Sequence, residues 1–463
     1  MHLPTLSRAP LLFAATLSVA VLAAITLSAQ TSPTNDELKQ KIESLEKQLA
    51  DVKAQLQTGQ AVPAPPASTA STPTPSQPAA AQNAVAQGPA ASGTPAPTVG
   101  SLLGPTTLSG FIDTYYNYNS NQPANLKAGN QLFNPYANQF GLNLIELILD
   151  KPPDPNASRT GYHVGLGFGQ AMNVVNGSDP AGLGFAQYLK EAYFSYLAPA
   201  GKGLQIDVGK FVTPNGAEVI ESKDNWNYSR SLLFYYAIPY FHYGARAKYI
   251  FSDKYSLTGY LVNGWNNIVA TNSGKTYGLS FGWNPSKKVG FSENFMIGPQ
   301  LPASRFTAPA GTLPDPGGSN SSWRQLWDTV VTYSPSSKLS LMVNGDYGRG
   351  DRVLTALLMP SPPVSWYGAA GYVKYAFTSK YSLATRYEYF ADPDGFQTAV
   401  GGHFQEGTFT FERDLASHII SRLEYRHDFS SQPFFLKGAN TLEKSQNTVT
   451  GGLVFTFTTA EAK

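Results

Sequence analysis

The sequence predicts an all-β fold: a transmembrane antiparallel β-barrel of about sixteen strands, preceded by a short coiled-coil helix and a disordered Pro/Ala-rich linker. Three observations predict it. From Leu108 onward, segments of roughly ten residues alternate apolar and polar, and tight turns take turns with long polar loops. Charged residues make up 14% of the chain, against ~25% in soluble domains, while aromatics reach 13%. After the N-terminus, no stretch approaches the ~20 apolar residues of a spanning helix.

The elements follow in order. Arg8, an apolar run from Leu11 to Leu27 and then Ser28-Ala29-Gln30 give residues 1–29 the order of a secretory signal peptide. The competing reading is an anchor that stays attached, and Leu27 is large for the third position before a cut. Export combined with a barrel implies the outer membrane of a diderm bacterium, with its lipid as a partner. Residues 34–58 carry Leu38, Ile42, Leu45, Leu49, Val52 and Leu56 at heptad spacing, opened by a Thr34–Glu37 capping box. Lys41 and Glu46 fall where they bridge two parallel chains. A coiled coil in the periplasm is expected; the alternative is an amphipathic helix lying on a surface. Residues 59–101 are Pro, Ala, Gln, Ser and Thr without charge. They form an extended linker, spanning on the order of 100 Å at ~3.1 Å per residue.

Candidate strands lie at 108–118, 139–150, 160–170, 186–197, 204–212, 242–251, 255–263, 275–284, 288–298, 323–333, 338–347, 365–377, 381–390, 402–412, 416–427 and 446–457. In 338–347, Leu339, Leu341, Val343 and Tyr347 point one way, and Ser340, Met342, Asn344 and Asp346 the other. Such a strand has one lipid face and one wet face. In 160–170 the inner face is Gly161, His163, Gly165, Gly167 and Gly169. That set packs no core and leaves a lumen open. Glu146 and Glu293 break the pattern, each falling on the apolar face. Aromatics such as Tyr116, Tyr249, Phe251, Tyr333 and Tyr375 sit near segment ends, as interfacial girdles do. Even-numbered connections are tight, as in Ser252-Asp253-Lys254 and Thr378-Ser379-Lys380, and odd-numbered ones are long. Both barrel ends therefore face the periplasm.

Gly110-Phe111-Ile112-Asp113-Thr114-Tyr115-Tyr116, Asn138-Gln139-Phe140 and the run Gly209 to Glu218 resemble, in this order, the OmpL-like family of outer-membrane β-barrel porins, over 105–457. Thr450, Gly452, Phe455 and Phe457 resemble the assembly signal of outer-membrane proteins, although residues 458–463 trail beyond it. The resemblance implies passive uptake of small hydrophilic solutes without fixing one. Porin architecture suggests a homotrimer.

By analogy with general porins, the long loop 212–241 is expected to fold inward and narrow the lumen. It carries Glu218, Glu221, Lys223, Asp224 and Arg230. Facing it, a basic ladder of Arg246, Lys248, Lys374, Arg386, Arg422 and Arg426 is expected on the wall, and such charges tune which ions pass. The bland reading is that these groups only solvate a wet wall, with Arg386–Glu388 and Arg422–Glu424–Arg426 neutralising one another.

Other motifs carry little. Gly274-Lys275-Thr276 resembles a phosphate loop, but Val269 stands at the first Gly position and a strand follows. Arg349-Gly350-Asp351 is a common chance tripeptide. The six His lack metal-ligand spacing, there is no Cys, and a net charge of +2 gives no case for nucleic acid. No catalytic set, metal or cofactor is expected. Competing readings are a substrate-selective sugar or anion channel, a barrel that anchors the envelope through cell-wall contact of its coil, and an outer-membrane hydrolase.

Overall fold

The computed structural model describes residues 104, 106–300, 307–308, 311–312, 320, 323–350 and 362–459. The expected signal peptide, coiled coil and linker lie outside these residues, as does the tail from 460 onward.

Sixteen strands close into one antiparallel barrel, each paired with its neighbours in sequence. They are β1 Thr107–Asn119, β2 Gln139–Lys151, β3 Thr160–Phe168, β4 Leu189–Ala198, β5 Leu204–Val212, β6 Phe241–Ser252, β7 Tyr255–Val262 and β8 Thr276–Ser286. The second half comprises β9 Val289–Pro299, β10 Trp323–Tyr333, β11 Leu339–Gly350, β12 Val364–Ala376, β13 Tyr381–Asp392, β14 Gly402–Ala416, β15 Ile419–Ser430 and β16 Ser445–Thr458. β16 closes the ring on β1, in register from Ser109↔Thr458 to Asn119↔Thr448. Two short helices, α1 Gln170–Asn176 and α2 Leu183–Ala186, lie between β3 and β4. Among the described residues no helix is long and apolar enough to cross a membrane.

Alternation decides which face each side chain takes. On β11, Asn344 and Asp346 are buried while Val343 and Tyr347 are exposed. The same inversion runs round the ring. Asp113, Arg386, Glu406 and Arg426 are buried inside, whereas Leu279, Phe409, Leu423 and Phe455 are exposed outside. A soluble protein would bury the second set and wet the first. A continuous apolar outer wall of this extent requires lipid around it. Aromatics ring both ends of that wall: Tyr116, Tyr277 and Tyr347 toward the long loops, Phe251, Trp283 and Tyr375 toward the short turns.

The two carboxylates that broke the sequence pattern behave differently. In the β1–β2 ladder the register jumps from Asp113↔Leu144 to Thr114↔Leu142, leaving Asn143 as a bulge. An extra residue reverses the facing of everything beyond it. Phe140 and Leu142 therefore face out, as do Leu147 and Leu149, while Glu146 turns inward and is fully buried. Glu293 does stay on the outer wall, level with Phe281 and Thr329. The Thr329 hydroxyl donates to its Oε2 at 2.6 Å, giving the carboxyl a partner on the lipid face.

The glycine-lined stretch of β3 is not left open. A Cβ on Gly167 would stand 2.5 Å from Met172 Sδ, because α1 lays Met172 into that space. Between β8 and β9 the turn is Lys287-Lys288 rather than the connection 285–287 left by the candidate strands. The ladder slips between Trp283 and Ser286, where Pro285 has no N–H to give.

Candidate functional site in the barrel lumen

Residues 213–240, between β5 and β6, cross the interior of the barrel. Backbone bonds give the segment its own shape. Thr213 N–H donates to the Tyr240 carbonyl at 3.0 Å and pinches its base. Asn225 imitates a strand partner, exchanging bonds with the Val219 carbonyl at 2.8 Å and the Val219 N–H at 2.9 Å. A 3₁₀ turn covers Ser222–Asp224 and a π-helical turn covers Leu233–Ala237, where the Ser231 hydroxyl accepts from the Phe234 N–H at 3.0 Å.

The far wall, β13 to β15 and β1, holds the segment by its backbone. Arg422 donates to the Asn225 carbonyl at 2.8 Å and to the Ser222 carbonyl. Arg386 donates to the Ser229 carbonyl at 2.8 Å, and Arg426 to the Arg230 carbonyl at 2.7 Å. Wall carboxylates take the N–H groups. Glu424 accepts from Tyr228 at 2.6 Å and Ser229 at 3.0 Å, and Glu388 accepts from Leu232 at 2.5 Å and Leu233 at 3.2 Å. Asp113 accepts from the Tyr228 hydroxyl at 2.7 Å and the Ser222 hydroxyl at 2.5 Å. Trp366 on β12 donates its indole N–H to the Ala237 carbonyl at 3.1 Å. A loop in a dry interior would otherwise strand its peptide groups, and these wall charges satisfy them. Burial pushes the Tyr228 and Tyr236 hydroxyls up, so both remain neutral donors; Tyr236 donates to Asn130 at 2.8 Å.

The predicted loop residues separate into four groups. Glu218 meets the predicted ladder: its carboxylate accepts from Arg386 at 2.6 Å and from the Ser231 N–H at 2.6 Å. Glu221 instead pairs with Lys190 on β4, which also bonds Glu146 at 2.7 Å. Lys223 and Asp224 pair with each other at 2.6 Å and remain partly exposed. Arg230 is fully buried, donates to the carbonyls of Tyr228 and Ile220, and lies 5.0 Å from the Phe133 ring.

The predicted ladder is interleaved with acids. Arg386 bonds Glu406 at 2.5 Å, Arg426 bonds Asp428 at 2.7 Å, and Arg422 and Lys374 share Glu412 at 2.6 and 3.0 Å. Arg386 and Glu388 stand 3.9 Å apart, while Glu424 serves the loop amides instead of its neighbouring arginines. Arg246 pairs across the strand with Asp207 at 2.8 Å and lies against the rings of Tyr193 and Phe211. Lys248 is exposed near the short-turn rim, beside Gln205 and Leu197.

The lumen is uneven along its axis. Toward the short turns, inward residues such as Ser256, Gly282, Ser292, Thr332 and Ser340 keep solvent exposure. Toward the long loops it is filled. The β1–β2 loop brings Phe133 onto Phe234, Tyr235 and Tyr240, and α1 adds Met172 and Val175. Sequence reasoning missed the acids Asp113, Glu406, Glu412 and Asp428, although inward alternation already placed them on the faces of Arg386, Arg422 and Arg426. It also missed Lys190, because the ladder slips at Gly165/Leu166 and changes the facing of β4. Among the described residues no three His, Asp or Glu gather as metal ligands.

A comparison with curated proteins finds no match. Solved structures do. An anion-selective porin from Comamonas acidovorans is 10% identical, with a TM-score of 0.50, covering 76% of this chain and 99% of that one. The outer-membrane channel DcaP of Acinetobacter baumannii is 10% identical over 76% of this chain and 97% of its own, with a TM-score of 0.46. The trimer form of OmpT from Vibrio cholerae is 11% identical over 76% and 99%, with a TM-score of 0.48. At such identities the Comamonas likeness speaks for the fold. Residues 105–457 match the family model described as "Putative beta-barrel porin-2, OmpL-like", and the chain belongs to that family.

Proposed function

We propose that the protein is a passive channel of the outer membrane, through which small hydrophilic solutes diffuse, with the segment 213–240 setting the narrowest section. The observation that carries this reading is the inward segment itself. It is bonded to the far wall through at least six side chains of that wall, so it stays at a fixed depth in a polar lumen. Glu218, Glu221, Lys223, Asp224 and Arg230 then act at that section, facing Arg386, Arg422 and Arg426, with Lys374 joined to Arg422 through Glu412, while Arg246 lies against β5 and Lys248 at the short-turn rim. Because most of these charges are paired, the expected field is modest. A homotrimer is the proposed assembly, with the helix of residues 34–58 as a coiled coil in the periplasm.

A planar bilayer tests the reading. Purified, heat-modifiable barrel should give discrete conductance steps in potassium chloride, grouped in threes for a trimer. Folded protein without steps would overturn it. The filled outer half of the lumen lends support to one rival, a barrel that anchors the envelope. Deleting residues 34–100 separates the two: an anchor loses envelope integrity and leaves permeability alone.

A further inference from the structure

Arg324 differs from the other inward arginines. It is the second residue of β10, on the face shared with buried Leu326 and Asp328, toward the long-loop end. Its register partners are Gly298 and Gly350, so no side chain flanks it on the sheet. Its guanidinium carbon lies 5.0 Å from the ring centre of Trp265 and 4.9 Å from that of Phe396. Those rings are fixed from behind. Trp366 meets Trp265 edge-on at 6.2 Å and stacks on Phe396 at 5.5 Å. The Asp392 carboxylate accepts from the Phe396 N–H at 3.0 Å, and Gln300 accepts from the Trp265 backbone N–H at 3.1 Å.

Two sets of donors in this box lack acceptors. Arg324 is partly exposed and has neither an ion pair nor a hydrogen-bond acceptor among the described residues. The indole N–H of Trp265 is buried and has no partner among the described residues. Arg246, Arg386, Arg422 and Arg426, by contrast, all bond carboxylates. Aromatic rings satisfy the faces of a guanidinium and leave its edge, with its fork of N–H donors, for a planar oxyanion. A buried donor without an acceptor is rare in a native fold and marks a place for one.

We propose that Arg324 and Trp265 form a binding site for solutes bearing a carboxylate or phosphate, at the outer end of the lumen. The proposal deepens the channel reading and rests on it for the route by which the solute arrives. The donors themselves are independent of that reading.

The experiment adds succinate or inorganic phosphate to full-length protein in a bilayer and records potassium chloride current. Wild type should be blocked saturably by the anion the site takes, and the response to the two anions tells carboxylate from phosphate. Arg324→Gln should leave chloride-salt conductance within about twofold and raise the half-blocking concentration at least tenfold, the loss of a charge-assisted fork. Trp265→Phe keeps an aromatic face, removes the N–H, and should give an intermediate rise. Equal block of wild type and R324Q, or no block by either anion, overturns the site. Should folded protein not conduct, calorimetric titration with the same anions decides: heat lost in R324Q upholds the site while the channel reading fails, and no heat in wild type ends both.

Discussion

Arg386 and Glu218 join the inward segment to the wall where neither side chain touches water. Removing one member of such a pair strands the other, a loss of about 3–5 kcal/mol when the site is dry. Arg386→Ala is therefore expected to lower the urea midpoint of the refolded barrel strongly, whereas Lys223→Ala, on a half-exposed pair, should move it little. Gly209 and Gly244 face each other across β5 and β6 with φ of 139° and 156°. A Cβ at Gly244 would sit 2.3 Å from the Leu261 carbonyl oxygen. Gly244→Ala should cost about 1–3 kcal/mol, read as a fall in the temperature of heat modification. At this scale the sequence was half legible. Alternation places Arg386, Arg422 and Arg426 on the inward face, and all three are buried there. It could not show that peptide carbonyls from a segment about 160–200 positions away would occupy them, because that depends on the fold of the segment.

At the scale of elements, the sixteen strand positions were readable, since period-two patterning is local and each strand obeys it. Two exceptions were local but silent, the Asn143 bulge and the slip at Gly165, which reverse facing without a distinctive residue; the slip after Trp283 carries a signal in Pro285. The expected facing is testable by charge. Val343→Arg, on the outer wall of β11, should destabilise the lipid-embedded barrel by about 2–4 kcal/mol if it lies near the midplane. Thr332→Arg, on the lumen face of β10, should be tolerated, and refolding yields into vesicles will tell them apart. Replacing residues 217–236 by a short glycine-serine link should raise single-channel conductance several-fold. It should also shift the reversal potential toward cations, because the uncovered wall holds Asp113, Glu388, Glu406, Glu412, Glu424 and Asp428 against Arg386, Arg422, Arg426 and Lys374. An unchanged conductance would mean that the segment does not limit flow.

At the scale of the whole molecule, an inverted polarity replaces the usual core, and loops together with the strand ends near them supply an apolar cluster instead. Phe133, Phe234, Tyr240, Trp366, Phe390 and Phe404 form it inside the outer half of the barrel. Composition announced the outer wall, through few charges and many aromatics, but carried no sign of this second cluster, half of whose members are loop residues and half inward aromatics near strand ends. The ring is completed where β16 meets β1, bringing Ser109 beside Thr458 across almost the entire described chain. Until that pairing forms, both strands present bare peptide edges that hydrocarbon cannot solvate. Insertion is thus all-or-nothing with respect to chain length: a polypeptide ending before Ser445 would have no stable resting state in the bilayer. The same adjacency makes the seam transferable. Joining Thr459 to Thr106 through a few residues and opening the chain at a short turn would move the break elsewhere on the ring, with every strand keeping its neighbours.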